Sequence, residues 1–351
     1  MKKRFLILGA GAIGSYLGGS LALHSHDVIF LERERDIPAL QNQGINMEIH
    51  GEKTNISSII FSSSLDQALA QRPDLIILAV KTYHLEPILP DFLRVKEDLP
   101  PLLCVQNGVE SEKRLAEVLG SKLVIPGTVT SAVDCPSKGN ITVEKLRGMG
   151  VAGNHPMAKD LAAAFSRSGI QCVHYSDPLN MKWSKLISNL LGNASSAILN
   201  LTVAQIYANP ELYQVEMEQI REALQVMDSQ KIKTVNLPGV PIKILAGIIN
   251  YLPDRLSHPI LSRMIGSGRG EKMPSFHIDL HSGSGNSEVN QLNGAVIRCG
   301  EQYKIPTPVN SFLTETLISL LEKKIPLDRY SQGQEDFLLE IKSRKAQTHS
   351  I

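Results

Sequence analysis

The chain carries almost no net charge. Its 36 lysines and arginines face 35 aspartates and glutamates, a formal charge of +1 over 351 residues. With that balance nothing points to nucleic acid or an anionic membrane surface as a partner. Long hydrophobic runs are also missing, and no apolar stretch reaches the roughly 20 residues that cross a bilayer. Cysteine pairs are missing too. Cys104, Cys135, Cys172 and Cys299 are scattered without a CxxC spacing, which points to reduced thiols in the cytoplasm and no zinc site. His24 and His26 lie close together but have no other ligand-type neighbours, so they read as surface residues and no metal is expected. There is no internal repeat and no low-complexity tract. The opening "MKKRFLILGAGAIG" imitates a signal peptide, but its apolar run is brief and flows into a glycine pattern with its own explanation.

What is present is an alternation of elements. A chain of this length can bury a large core and form two domains. "RFLILGA" (4–10), "DVIFLE" (27–32), "DLIILAV" (74–80) and "PLLCVQ" (101–106) read as buried strands. Helical spacing fills 12–24, 84–94 and 111–119. Strands alternating with helices predict an α/β fold with a doubly wound, mostly parallel sheet. Residues 44–61 alternate around a turn and read as a hairpin excursion. Runs at 122–133, 140–146 and 148–153 read as closing strands, followed by a helix at 157–167 and a strand near 171–174. After Asp177-Pro178 only helix patterns remain, at 179–198, 210–230, 286–301 and 308–324. The expected division is therefore a doubly wound α/β domain over 1–177 and an all-α domain over 178–325. Within the second, 231–272 reads as an insertion, and 326–351 as a polar, fraying tail.

The first chemistry-bearing motif is "GAGAIG", residues Gly9, Ala10, Gly11, Ala12, Ile13 and Gly14. The first glycine permits a tight turn, the second a close approach to pyrophosphate, and the third close helix–strand packing. The following helix N-terminus offers free N–H groups to phosphate. A lone GxGxxG is weak evidence, but this one follows a strand, opens a helix and precedes a second strand. At the end of that second strand, Glu32 would bind a ribose 2′-hydroxyl and favour NAD, whereas Arg33 would pair a 2′-phosphate and favour NADP. Lys81 and Asn107-Gly108 each follow a later strand end, at the edge where such sheets bind ligands. A surface lysine and an ordinary turn are the plainer readings of those two.

The second motif is "WSKLISNLLGNASSAI" at 183–198. On one helix Lys185, Asn189 and Asn193 fall at i, i+4 and i+8 and share a face with Ser188, Gly192, Ser195 and Ser196. One cation among small neutral polar groups suits a cleft for a small anion better than a solvated surface. Glu288 lies near the start of a later amphipathic helix, where the helix dipole alone would favour an acid. Paired with Lys185, it suggests carbonyl reduction: the oxygen gains charge as hydride arrives, a lysine supplies the proton, and a carboxylate orients it.

These residues together resemble the ketopantoate reductase family (2-dehydropantoate 2-reductases). The resemblance runs over about 1–325 and rests on GAGAIG at 9–14, AVK at 79–81, QNG at 106–108, GTVTSAV at 127–133, KxxxNxxxN at 185–193, Ser275 with Asp279, and SEVNQLNG at 287–294. It implies a Rossmann domain, a helical domain and an active site between them. It implies Lys185 as the catalytic lysine, with Asn189, Asn193 and Ser275 holding a branched 2-keto acid and Glu288 beside cofactor and substrate. Lys81 and Asn107 would contact the cofactor near its nicotinamide end, Val133 would give a backbone contact, and Arg33 matches the family's 2′-phosphate arginine. NADP(H) is favoured on that ground, with NAD(H) the alternative. The chain departs from the pattern at Val203, where the family commonly has an asparagine. It departs again at "HSGSGN", which lacks the usual basic residue and is one residue longer, and at Glu288-Val289-Asn290 in place of Glu-Ile-Asp. A paralogue acting on another 2-keto or 3-hydroxy acid, or a binding protein without turnover, stays open. The apolar faces of 286–301 and 308–324 would bury within the domain or form a homodimer.

Overall fold

The alternating apolar runs of the first half become an eight-stranded sheet. The computed structural model describes residues 2–269, 272–283 and 285–348. Eight strands form the main sheet: β1 (Arg4–Leu8), β2 (Asp27–Leu31), β5 (Ile60–Ser62), β6 (Leu75–Leu78), β7 (Leu102–Cys104), β8 (Val124–Val129), β11 (Met149–Ala152) and β12 (Cys172–Tyr175). Their order is β12-β11-β8-β7-β6-β1-β2-β5, and every neighbouring pair is parallel except β11 with β8. Strand side chains alternate faces, so Phe5, Ile7, Phe30, Ile77 and Ile125 enter one buried cluster while Leu6, Leu8, Ile29, Ile76 and Leu78 enter another. Burial on both faces is why these strands read as unbroken apolar runs. Around the sheet run α1 (Ala12–Leu23), α2 (Ile37–Gln43), α3 (Leu65–Ala70), α4 (Leu85–Arg94), α5 (Ser111–Leu119) and α6 (Ala158–Arg167).

A second sheet departs from expectation. The hairpin at 44–61 stops at Ile56: β3 (Ile45–Ile49) pairs antiparallel with β4 (Glu52–Ile56), and the remainder turns back to join the main sheet as β5. The run at 122–133 is likewise two strands. Its first part is β8. Its second part begins β9 (Ala132–Ser137), which pairs antiparallel with β10 (Asn140–Lys145). β10 then pairs parallel with β3, giving the order β4-β3-β10-β9. Local alternation shows strands but not partners some 94 residues away.

The chain divides into two compact units, Met1–Lys182 with Leu237–Val240, and Trp183–Asn236 with Pro241–Ile351. Helix α7 (Pro178–Leu190) carries the division. The second unit is helical, with α8 (Asn193–Leu199), α9 (Val203–Ala208), α10 (Pro210–Ser229), α11 (Ile242–Tyr251), α12 (Asp254–Arg269), α13 (Ser275–His281), α14 (Asn293–Tyr303), α15 (Pro308–Leu321) and α16 (Gln334–Thr348). The expected single helix over 179–198 is broken, because Gly192 takes a left-handed conformation (φ 64°) between α7 and α8. The 286–301 pattern likewise splits into a short 3₁₀ turn, Val289–Gln291, and α14. The tail is not frayed. Phe337, Leu338 and Ile341 of α16 are buried, and Phe337 packs edge-on to Phe312 and Tyr330 at ring distances of 5.3 and 5.9 Å. The apolar faces of α14 and α15 are covered inside the unit, where Val296, Phe312, Leu313, Leu317 and Leu320 are buried. Among the described residues no helix is long and apolar enough to cross a membrane. All four cysteines are free thiols.

Candidate cofactor and substrate sites

In the first unit the glycine motif sits between β1 and α1. Gly9 has φ 95° and its N–H donates to Leu31 O (3.2 Å), tying the loop to the end of β2. A Cβ on Gly14 would lie 1.8 Å from Gly9 O, so only glycine lets α1 start this close to the strand. Gly11 caps α1, and a Cβ there would meet nothing within 4 Å. A tight turn, a bare helix N-terminus without first-turn acids, and open space above Gly11 fit the pyrophosphate of a dinucleotide.

Glu32 and Arg33 have different surroundings. The Glu32 side chain is only 5% exposed. Its Oε1 accepts the Ala10 N–H at 2.5 Å, and its Oε2 accepts the Arg33 N–H at 3.1 Å and faces Lys138 Nζ at 2.6 Å. Arg33 is exposed, and among the described residues its guanidinium has no ion-pair partner. Lys81 caps a 3₁₀ turn, Thr82–His84, that leads into α4. Burial holds the His84 imidazole below its ordinary pKa, and the positive charges of Arg33, Lys138 and Lys81 push the same way. Lys81 and Arg33 are thus both near the His84 ring.

Asn107 is half-buried in the loop after β7, ahead of Gly108 with φ 84°. Two buried residues hold that loop. Gln106 Nε2 donates to Val80 O (3.0 Å) and Lys81 O (3.3 Å), binding the two strand-end loops together. Lys182 Nζ donates to Gln106 O (2.6 Å) and Gly127 O (3.3 Å) and pairs with Glu112 at 2.6 Å. Val133 lies in β9, opposite Val143, and packs on the core of the first unit.

In the second unit Lys185, Ser188 and Asn189 are the half-exposed positions of the Lys185–Asn189 turn of α7, between buried Leu186, Ile187 and Leu190. Ser188 Oγ donates to Lys185 O (2.7 Å). Asn193 does not continue this face. It opens α8 after the Gly192 turn and is 5% exposed. Its Oδ1 accepts the Phe276 N–H (3.0 Å) and its Nδ2 donates to Ser275 Oγ (3.3 Å), so Asn193 and Ser275 are brought together at the start of α13. Ser195 and Ser196, expected on the polar face, are buried. Ser195 Oγ donates to Glu216, which also accepts the Gly192 N–H (2.6 Å) and Gln219 Nε2 (2.8 Å). Burial pushes the Glu216 carboxyl up in pKa. Val203 is fully buried, with Cγ1 2.9 Å from where a Gly192 Cβ would lie. Glu288 is 3% exposed and caps the 3₁₀ turn, one turn ahead of α14, so the α14 dipole does not account for it.

Two family models match this chain. Ketopantoate reductase PanE/ApbA covers residues 5–155, and its C-terminal partner, Ketopantoate reductase PanE/ApbA C terminal, covers 177–320. The chain belongs to the ketopantoate reductase family. It is similar to the 2-dehydropantoate 2-reductase of Pyrococcus horikoshii, 26% identical over 91% of this chain and 97% of that one. A PanE/ApbA family ketopantoate reductase from Ralstonia eutropha superposes with a TM-score of 0.77 at 25% identity, covering 92% and 99% of the two chains. D-mandelate dehydrogenase, solved with NADH and anilino(oxo)acetate, shares the fold with a TM-score of 0.73 at 21% identity over 91% and 99%. As a ketopantoate reductase family member the chain is a nicotinamide-dependent oxidoreductase acting on a small molecule.

Sequence reasoning passed over Lys182, Glu112, Lys138 and Glu216. Lys182 lies three residues before Lys185 in a helix whose other lysine drew the attention. Gln106 stood inside a quoted motif, but its role needs the Val80 and Lys81 carbonyls across the sheet edge. Nothing in the local pattern marks Lys138 or Glu216.

Proposed function

We propose that this reductase converts 2-dehydropantoate to pantoate with NADPH, a step in pantothenate biosynthesis. The observation that carries the reading is the α7 face, where Lys185 is half-exposed beside Ser188 and Asn189 in a family of 2-keto acid reductases. The loop from Gly9 to Gly14 holds the pyrophosphate, and Arg33 with Lys81 receives the 2′-phosphate. Asn107 and the Val133 backbone contact the rest of the dinucleotide. When bound, the nicotinamide supplies hydride to the keto carbon. Lys185, as its ammonium, gives a proton to the carbonyl oxygen as charge builds there, so the product is the neutral hydroxyl. Glu288 orients Lys185 and the nascent hydroxyl. Asn189 and Ser275 bind the keto acid, and Asn193 acts by holding Ser275.

The test follows loss of near-ultraviolet absorbance of NADPH or NADH with 2-dehydropantoate. Consumption with NADPH favoured over NADH supports the reading; nucleotide binding without consumption refutes the substrate assignment. Lys185→Ala is expected to lower turnover by about 10²–10⁴ with little change in nucleotide affinity. Near-normal turnover would remove Lys185 from the proton-donor role. One observation favours a second substrate. Val203 puts an apolar side chain where the family pattern has a polar one. Faster turnover of an aromatic 2-keto acid than of 2-dehydropantoate would select that reading.

A further inference from the structure

The tip of the β9–β10 hairpin is pinned against the dinucleotide loop. Gln43 Nε2 donates to Lys138 O (2.8 Å), the Asn46 N–H to Gly139 O (2.7 Å), and the Gly139 N–H to Ala10 O (3.4 Å). From this fixed turn Lys138 Nζ reaches Glu32 Oε2 at 2.6 Å and Asp36 Oδ2 at 2.5 Å. The Lys138 hydrogen bond holds the Asp36 carboxyl below its usual range.

We propose that Lys138 is a specificity-determining residue, which supplies the counter-charge of Glu32 so that the ribose end of the site accepts a 2′-phosphate. The proposal rests on the NADP reading above and gives it a cause. An acid at the end of β2 ordinarily accepts a ribose hydroxyl and repels a phosphate. Here both Glu32 oxygens are engaged by protein donors, and Lys138 offsets one of the two acidic charges while Arg35 lies 3.8 Å from Asp36. Arg33, which is exposed, remains to meet an incoming anion. The same neighbourhood acts as positive on the His84 ring, where Lys138 is among the three charges disfavouring the imidazolium. Without Lys138, the Glu32 carboxylate would face, without its counter-charge, a group carrying up to about two negative charges.

The experiment is a calorimetric titration of NADPH and of NADH into wild type, Lys138→Met, Lys138→Arg and the double variant Lys138→Met/Glu32→Gln. Glutamine can still accept the Ala10 N–H. Lys138→Met is expected to weaken NADPH about tenfold, or about 1.4 kcal/mol, while NADH affinity holds or improves. Lys138→Arg should keep the wild-type ratio, and the added Glu32→Gln should restore most of the NADPH affinity. Equal weakening of both nucleotides by Lys138→Met would mean that the lysine only holds the hairpin, and would overturn the proposal. Failure of Glu32→Gln to rescue would overturn it as well. A wild type that binds NADH more tightly than NADPH overturns the NADP reading itself. A wild type that prefers NADPH, with its ratio unchanged in Lys138→Met, overturns only the role of Lys138.

Discussion

Replacing Lys182 with methionine should damage the first unit more than its distance from any proposed reacting atom suggests. The ammonium lies 2.6 Å from Glu112 Oε1, 2.6 Å from Gln106 O and 3.3 Å from Gly127 O, and the Lys182 and Glu112 side chains are 4% and 12% exposed. Methionine keeps most of the stem's volume, so packing loss is small. What remains is a nearly buried carboxylate without its counter-charge and two carbonyls short of a donor. Breaking one side of such a pair costs about 3–5 kcal/mol, most of it from the stranded charge. Adding Glu112→Gln removes that charge and should recover about 2 kcal/mol. Urea denaturation would be followed by circular dichroism and by the fluorescence of Trp183, the only tryptophan, because a chain of two units need not unfold in one transition. A nucleotide titration supplies the second readout, since Gln106 links the Val80, Lys81 and Asn107 loops and its release should weaken binding. A cost below about 1 kcal/mol would refute the buried-pair account. So would a double variant less stable than Lys182→Met alone.

Two further outcomes follow from the second unit. Glu222 is buried and its carboxyl is pushed up to about 7, although Val309 N, Asn310 N and Asn310 Nδ2 all donate to it. A carboxyl whose folded pKa is raised contributes stability in full below its unfolded pKa and loses it as pH rises through the folded one. Stability should therefore fall by about 3 kcal/mol between roughly pH 4.5 and pH 8 on this account. Glu222→Gln should remove that part of the slope; an unchanged slope in the variant would assign it elsewhere. Phe337→Ala empties a fully buried ring position between Phe312 and Tyr330 and should cost about 3–5 kcal/mol. Limited proteolysis should then cut near α16, and a wild-type cleavage pattern would contradict the docking of that helix.

The elements of the first half were legible because β1, β2, β6 and β7 are buried on both faces and separated by helices with their own period. The glycine motif was legible because three glycines, a strand and a helix leave few alternatives. What local reading missed shares one physical cause, dependence on distant groups. The pairing of β10 with β3 joins residues far apart in sequence, which no window of alternation contains. The break at Gly192 depends on Glu216 accepting the Gly192 N–H from another helix, and without it a glycine inside a helical pattern is tolerated. The tail looked frayed because its average is polar, yet Phe337, Leu338 and Ile341 suffice to dock one face. The Lys138–Glu32 pair joins residues 106 positions apart, again beyond any local window.

That covering lysine has a consequence for the order of synthesis. Glu32 receives its counter-charge from a residue 106 positions later. At translation rates of about 5–20 residues per second, the glycine loop and β2 wait roughly 5–20 seconds before the β9–β10 turn exists. Through that interval the Glu32 carboxylate lacks the Lys138 ammonium. Only when the hairpin tip closes on Ala10 does the site acquire the charge balance of the finished protein. A nucleotide that binds only the completed loop then stabilises the finished unit and not its precursor.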